Sequence, residues 1–93
     1  MIESEQVELL KNRMNTLVTH FCLMSNEVGY WMQENPELFT EAEKKLTIEP
    51  TYSELEKYSG PVEKLKYQIK TLSDQYVKLM DVRAAHKDSL KKE

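Results

Sequence analysis

His20 and Cys22 are the pair closest to nucleophile chemistry in this chain, and their spacing defeats it. Two residues apart on a helix, their side chains diverge, so neither can activate the other or share a metal ion with it. The other histidine, His86, sits in a basic C-terminal stretch with Lys78, Arg83, Lys87, Lys91 and Lys92. The sequence has no Glu-x-x-His pair, no Cys-x-x-Cys and no glycine-rich phosphate loop. These observations predict a protein that is not an enzyme and needs neither metal nor cofactor.

Two tyrosines carry a short recognition pattern. Tyr52-Ser-Glu-Leu55 and Tyr76-Val-Lys-Leu79 both fit the Tyr-x-x-apolar form read by sorting adaptors and, once phosphorylated, by phosphotyrosine-binding domains. Tyr76 and Leu79 also fall on an apolar helical seam, which assigns them to packing. The basic tail has anionic partners as its alternative use. Interleaved Asp81, Asp88 and Glu93, and the lack of an aromatic beyond Tyr76, argue against nucleic acid and for a solvated helix end.

The elements that hold these residues are read from apolar spacing. Val7, Leu10, Met14, Leu17, Phe21, Met24, Val28 and Trp31 alternate steps of three and four, the a/d pattern of a helix that packs on other helices. A helix over about 3–34 follows, ended by Asn35-Pro36, since proline disfavours helix at the residue before it. A second seam, Val62, Leu65, Ile69, Leu72, Tyr76 and Leu79, starts at Pro61 and decays through Arg83 and His86 to Leu90, giving a helix over about 61–90. Between them, about 36–59, lies a connector. Residues 37–46 read as a short helix with Thr40 and Glu43 as an alternative capping box. Thr51 and Glu54 form a second such match, and Gly60 suits a left-handed helix end.

The expected fold is all-α: two long helices in an antiparallel helical hairpin or coiled-coil bundle, with one or two short connector helices, in a single domain over 1–93. Ninety-three residues suit one unit, and only two glycines and three prolines disfavour a chain of short strands. The charge is divided. Residues 1–61 carry five Lys/Arg and eleven Asp/Glu (−6), and residues 62–93 carry eight and five (+3).

The first helix has a further stripe, Ile2, Leu9, Leu23 and Tyr30, seven or fourteen residues apart and roughly opposite the seam, with Thr16 at the missing step. A helix apolar nearly all round belongs at the centre of a bundle or between partners. One return helix with a narrower stripe cannot cover it. The sequence therefore predicts a scaffold or assembly subunit that binds partner helices, its own copies or other subunits, through its heptad seams. The expected interface comprises Val7, Leu10, Met14, Leu17, Phe21, Met24, Val28, Tyr30 and Trp31 with Leu65, Ile69, Leu72, Tyr76 and Leu79. Gly29-Tyr30-Trp31-Met32 is its densest aromatic point, and Trp and Tyr anchor interfaces when they meet a pocket. The alternatives are a small helical chaperone shielding an aggregation-prone client, for which methionine-bearing apolar faces are suited, and a weak nucleic-acid binder using the basic tail.

Cys22 alone provides no internal disulfide, and no segment has the roughly 18 apolar residues of a membrane span. Met1 is followed by Ile2-Glu3-Ser4-Glu5 rather than by a basic start and an apolar run. The expected compartment is cytoplasmic or nuclear.

Overall fold

A computed structural model describes residues 2–91, and among these there is no strand. Helix α1 runs Glu3–Glu34 and helix α3 runs Pro61–Lys91, with the four-residue α2, Glu41–Lys44, between them. Three single 3₁₀ turns, Pro36–Leu38, Lys45–Thr47 and Leu55–Lys57, complete the connector. The all-α class and the pair of long helices packed on each other are as the apolar spacing requires.

Glu3 and Glu5 place negative charge at the positive end of the α1 dipole. Its other end is tied off by Asn35, whose backbone N–H and side-chain Nδ2 both donate to the Trp31 carbonyl, at 2.8 and 3.2 Å. Pro36 then opens the first 3₁₀ turn. The expected continuous helix over 37–46 is divided, because Thr40 is extended (φ −76°, ψ 164°). There the capping box forms in full. Thr40 Oγ1 accepts the Glu43 N–H at 3.1 Å, and Glu43 Oε1 accepts the Thr40 N–H at 2.9 Å.

The second capping-box match does not form. The Glu54 N–H donates instead to the Tyr67 hydroxyl of α3, at 3.1 Å, and only a 3₁₀ turn follows. Gly60 is not left-handed, as no described glycine has positive φ. Its carbonyl accepts the Lys64 N–H at 3.0 Å, so it opens α3 rather than closing the turn before it.

The direction of α3 differs from the antiparallel expectation: the two long helices run the same way. Near the start of both, Leu9 and Leu10 line one groove with Val62, Lys66 and Ile69. Near the end of both, Arg83 reaches Glu27 and lies 5.9 Å from the Trp31 ring. Residues 35–60 run back between these poles. Phe39 meets His86 with ring centroids 4.2 Å apart, Leu46 and Ile48 accept from Gln75 midway, and Tyr58 stacks on Tyr67 at 5.2 Å near the start of α3. The physical reason is connector length: adjacent antiparallel helices need only about 2–8 joining residues, whereas 26 suffice to retrace a helix.

This return segment is pinned by polar bonds as well as apolar contact. Ser25 Oγ donates to the Thr47 carbonyl at 2.7 Å, and Gln75 Nε2 donates to the carbonyls of Leu46 (3.1 Å) and Ile48. The core is accordingly three-sided: Phe21, Val28 and Met32 from α1, Phe39 from the return segment, and Leu72, Leu79 and Val82 from α3. Met14, Leu17, Val18, Met24, Trp31, Leu46 and Tyr76 pack around it. The particle is a rod of 55 × 22 × 16 Å.

Arg83 and His86, where the apolar pattern lapses, remain packed. Arg83 donates from Nε and Nη2 to the two Glu27 carboxylate oxygens at 2.9 and 3.2 Å, and His86 faces Phe39 and Glu43. The solvated end expected of this region begins later, at exposed Lys87 and Asp88. The side chains of Leu90 and Lys91, and Lys92 and Glu93 entirely, lie outside the described residues.

Candidate functional site

The chemistry-bearing residues fall apart in three dimensions. His20 and Cys22 are exposed on α1, and His86 is a packing residue at the far pole. Among the described residues no three His, Cys, Asp or Glu side chains gather as a metal site. Among the described residues the carboxyl with a displaced pKa is that of Glu43. The Thr40 N–H bonded to it holds its pKa below the ordinary value, against partial burial, with His86 at 3.5 Å adding to the effect. That arrangement fastens the return segment to α3.

Neither tyrosine pattern is presented for recognition. Leu79 is fully buried and Tyr76 half-buried in the seam. The Tyr52 hydroxyl is sealed without a hydrogen-bond partner, and burial, with Glu49 nearby, pushes its pKa up.

Most of the expected interface is spent inside the chain. Phe21, Val28, Leu72 and Leu79 are buried, while Val7, Leu10, Met14, Leu17, Met24, Trp31, Leu65, Ile69 and Tyr76 are half-buried. Of the residues expected to meet a partner, only Tyr30 stands exposed, at 61%. The opposite stripe is what solvent reaches: Ile2 (64%), Leu9 (56%), Leu23 (64%) and Tyr30.

Because the return segment lies over one side of the helix pair, the groove on the other side is uncovered. Ser25 and Gln75 mark the covered side. The open side is lined near the helix starts by Leu9, Leu10, Arg13, Val62, Lys66, Ile69, Lys70, Ser73 and Asp74. Further along it is lined by His20, Leu23, Met24, Glu27, Tyr76 and Arg83. Val77 (47% exposed) and Met80 (39%) lie seven residues beyond Lys70 and Ser73, so helical periodicity sets them on this same side of α3.

Val77 and Met80 were missed by sequence reasoning, which followed only the strongest seam of α3. The spacing Ser73, Val77, Met80, Ala84 was a visible second stripe. A further signal was the charge-free run Met14–Asn26, thirteen residues in a chain that is 31% charged. Depletion of charge from an exposed helix face is a mark of interface surface.

No protein family matches the chain, and no curated protein or solved structure shows significant similarity to it. The geometry alone therefore carries the functional reading. No helix among the described residues is long and apolar enough to cross a membrane.

Proposed function

We propose that this protein is a non-enzymatic assembly subunit that receives a partner helix in the uncovered groove between α1 and α3. The observation that carries the reading is the distribution of exposed apolar side chains. Of the eight large ones among the described residues, Ile2, Leu9, Leu23, Tyr30, Val77 and Met80 belong to the two long helices or to the residue that caps α1, whereas Leu38 and Ile48 lie in the connector. Single exposed apolar residues are ordinary, but Leu9 and Leu23 of α1 together with Val77 and Met80 of α3 border an open groove on both flanks, which suits an incoming helix.

The accessible area supports the same reading. The chain exposes 6590 Å², whereas a compact monomer of its 11.0 kDa mass exposes about 5,600 Å². The excess, on the order of 1,000 Å², is comparable to the roughly 800 Å² that each partner gives to a standard interface. Helix α1, packed by α3 and by the return segment, gains a third neighbour when that groove is filled.

The test is native mass spectrometry and sedimentation of the protein isolated from its own cells, beside a Leu23→Asp variant. The native chain should be recovered in a fixed stoichiometry with helical partners or copies of itself. Leu23→Asp should retain its far-ultraviolet dichroism and lose that association. A folded, lone monomer of the native chain would defeat the proposal.

A further inference from the structure

Resting on the reading of the open groove as a helix dock, we infer that its occupant is an acidic amphipathic helix of another protein, seated with its acidic end over the starts of α1 and α3. The half of the groove at that end has an apolar floor of Leu9, Leu10, Val62 and Ile69. Its walls are cationic: Arg13, Lys66 and Lys70 line it, and Asp74 is its single acidic residue. That gives this stretch +2 (three cations, one anion) in a protein whose net charge is −3.

The cations are available for a partner. Arg13 and Lys66 enter none of the ion pairs formed among the described residues, and both are exposed. Lys70 touches Asp74 at 3.3 Å, but both side chains are mostly in solvent, so that pair yields readily to a new one. At the other half of the groove the charge is already balanced, because Arg83 is held on both oxygens of Glu27. The demand for acidic residues is therefore confined to one end, which fixes the direction in which the incoming helix lies.

A second copy of the chain satisfies this demand poorly in either direction: laid the opposite way, it offers the cations only Glu27, whose two oxygens Arg83 already holds. Two open faces laid together in the same direction set Arg13, Lys66 and Lys70 of one against those of the other. Complementary potentials favour encounter and register, and like charges across an interface oppose it.

The inference is tested by fluorescence anisotropy with two synthetic 21-residue helical peptides that share one leucine and isoleucine seam. One carries glutamate at the flanking positions and the other lysine. The full chain at 50 mM salt should bind the glutamate peptide at least tenfold more tightly, and the margin should shrink at 300 mM as screening increases. The double variant Arg13→Glu, Lys66→Glu should reverse the order. Arg13→Gln, Lys66→Gln serves as the milder change, expected to remove the preference without reversing it. Leu9→Asp should abolish binding of both peptides.

Equal affinity for the two peptides, or an unchanged order in the charge variants, overturns the acidic partner while leaving the helix dock standing if Leu9→Asp still abolishes binding. Failure of both peptides to bind overturns the inference. So does a self-associated chain that excludes both peptides, which would assign the groove to a second copy.

Discussion

Leu79 and Met80 are neighbours on α3 with opposite surroundings, and replacing each by alanine isolates what the internal seam contributes. Leu79 is 0% exposed and Met80 39%. Truncating Leu79 removes three buried carbons, about 2.4 kcal/mol at roughly 0.8 each, plus a cavity contribution where the surroundings cannot collapse. Leu79 shares its buried core with Phe21, Val28 and Leu72, and a packed core relaxes only partly around a truncation, so the expected loss is about 3 kcal/mol. For 93 residues, an unfolding entropy of about 2.1 cal/mol/K per residue amounts to about 0.2 kcal/mol/K, and the midpoint should fall by roughly 15 °C. Met80→Ala should stay within about 0.5 kcal/mol, since alanine is the better helix former and little surface is lost. Far-ultraviolet dichroism melts of the two variants decide the matter. Equal shifts, or a loss below about 1 kcal/mol for Leu79→Ala, would refute the assignment of α3's inner and outer faces.

Three further outcomes are expected. A spin label at Glu5→Cys, in a Cys22→Ser background, should broaden amide signals of residues 61–66 and spare those of 83–88, because α1 and α3 run in one direction; the opposite pattern would restore the antiparallel arrangement. His86→Ala should cost about 1 kcal/mol through lost contact with the Phe39 ring, seen as a lower denaturant midpoint, and a chain ending at Arg83 should lose at least as much. Glu43 has its pKa lowered chiefly by the Thr40 N–H, so its contribution is present above the unfolded carboxyl range and lost as pH falls through the folded value; Glu43→Gln should therefore lose less stability than the native chain between pH 7 and pH 3 in parallel melts.

The seams of α1 and α3 were legible because burial imposes a helical period, and Phe21, Val28, Leu72 and Leu79 lie where that period puts them. The relative direction was not legible from the seams, since steps of three and four read alike from either end. Connector length held that information. Leu46, Thr47 and Gln75 form the attachment that reveals it, but a backbone carbonyl as acceptor leaves no trace in residue type. The same limit applies at Arg83 and His86. A charged or aromatic-polar residue at a seam position looks like the end of a pattern until its partners, Glu27 and Phe39, are known, and both lie more than forty residues away. The open groove was half visible: its α1 stripe could be read from spacing, whereas which side of it the connector leaves bare depends on the turn at Asn35-Pro36.

A parallel pair of helices joined through a long return has a consequence that a hairpin lacks. The returning segment must lie in one of the two grooves between the helices, and its own apolar residues, Phe39 and Leu46 foremost, fill that groove. Nothing in the described chain is left for the other. Along that uncovered groove Leu9 and Leu23 of α1 and Val77 and Met80 of α3 are left exposed. On the function proposed above, folding and docking draw on separate surfaces, so loss of a partner would leave the core intact. Binding still raises the stability of the fold by mass action, about 2.7 kcal/mol at a partner concentration a hundredfold above its Kd.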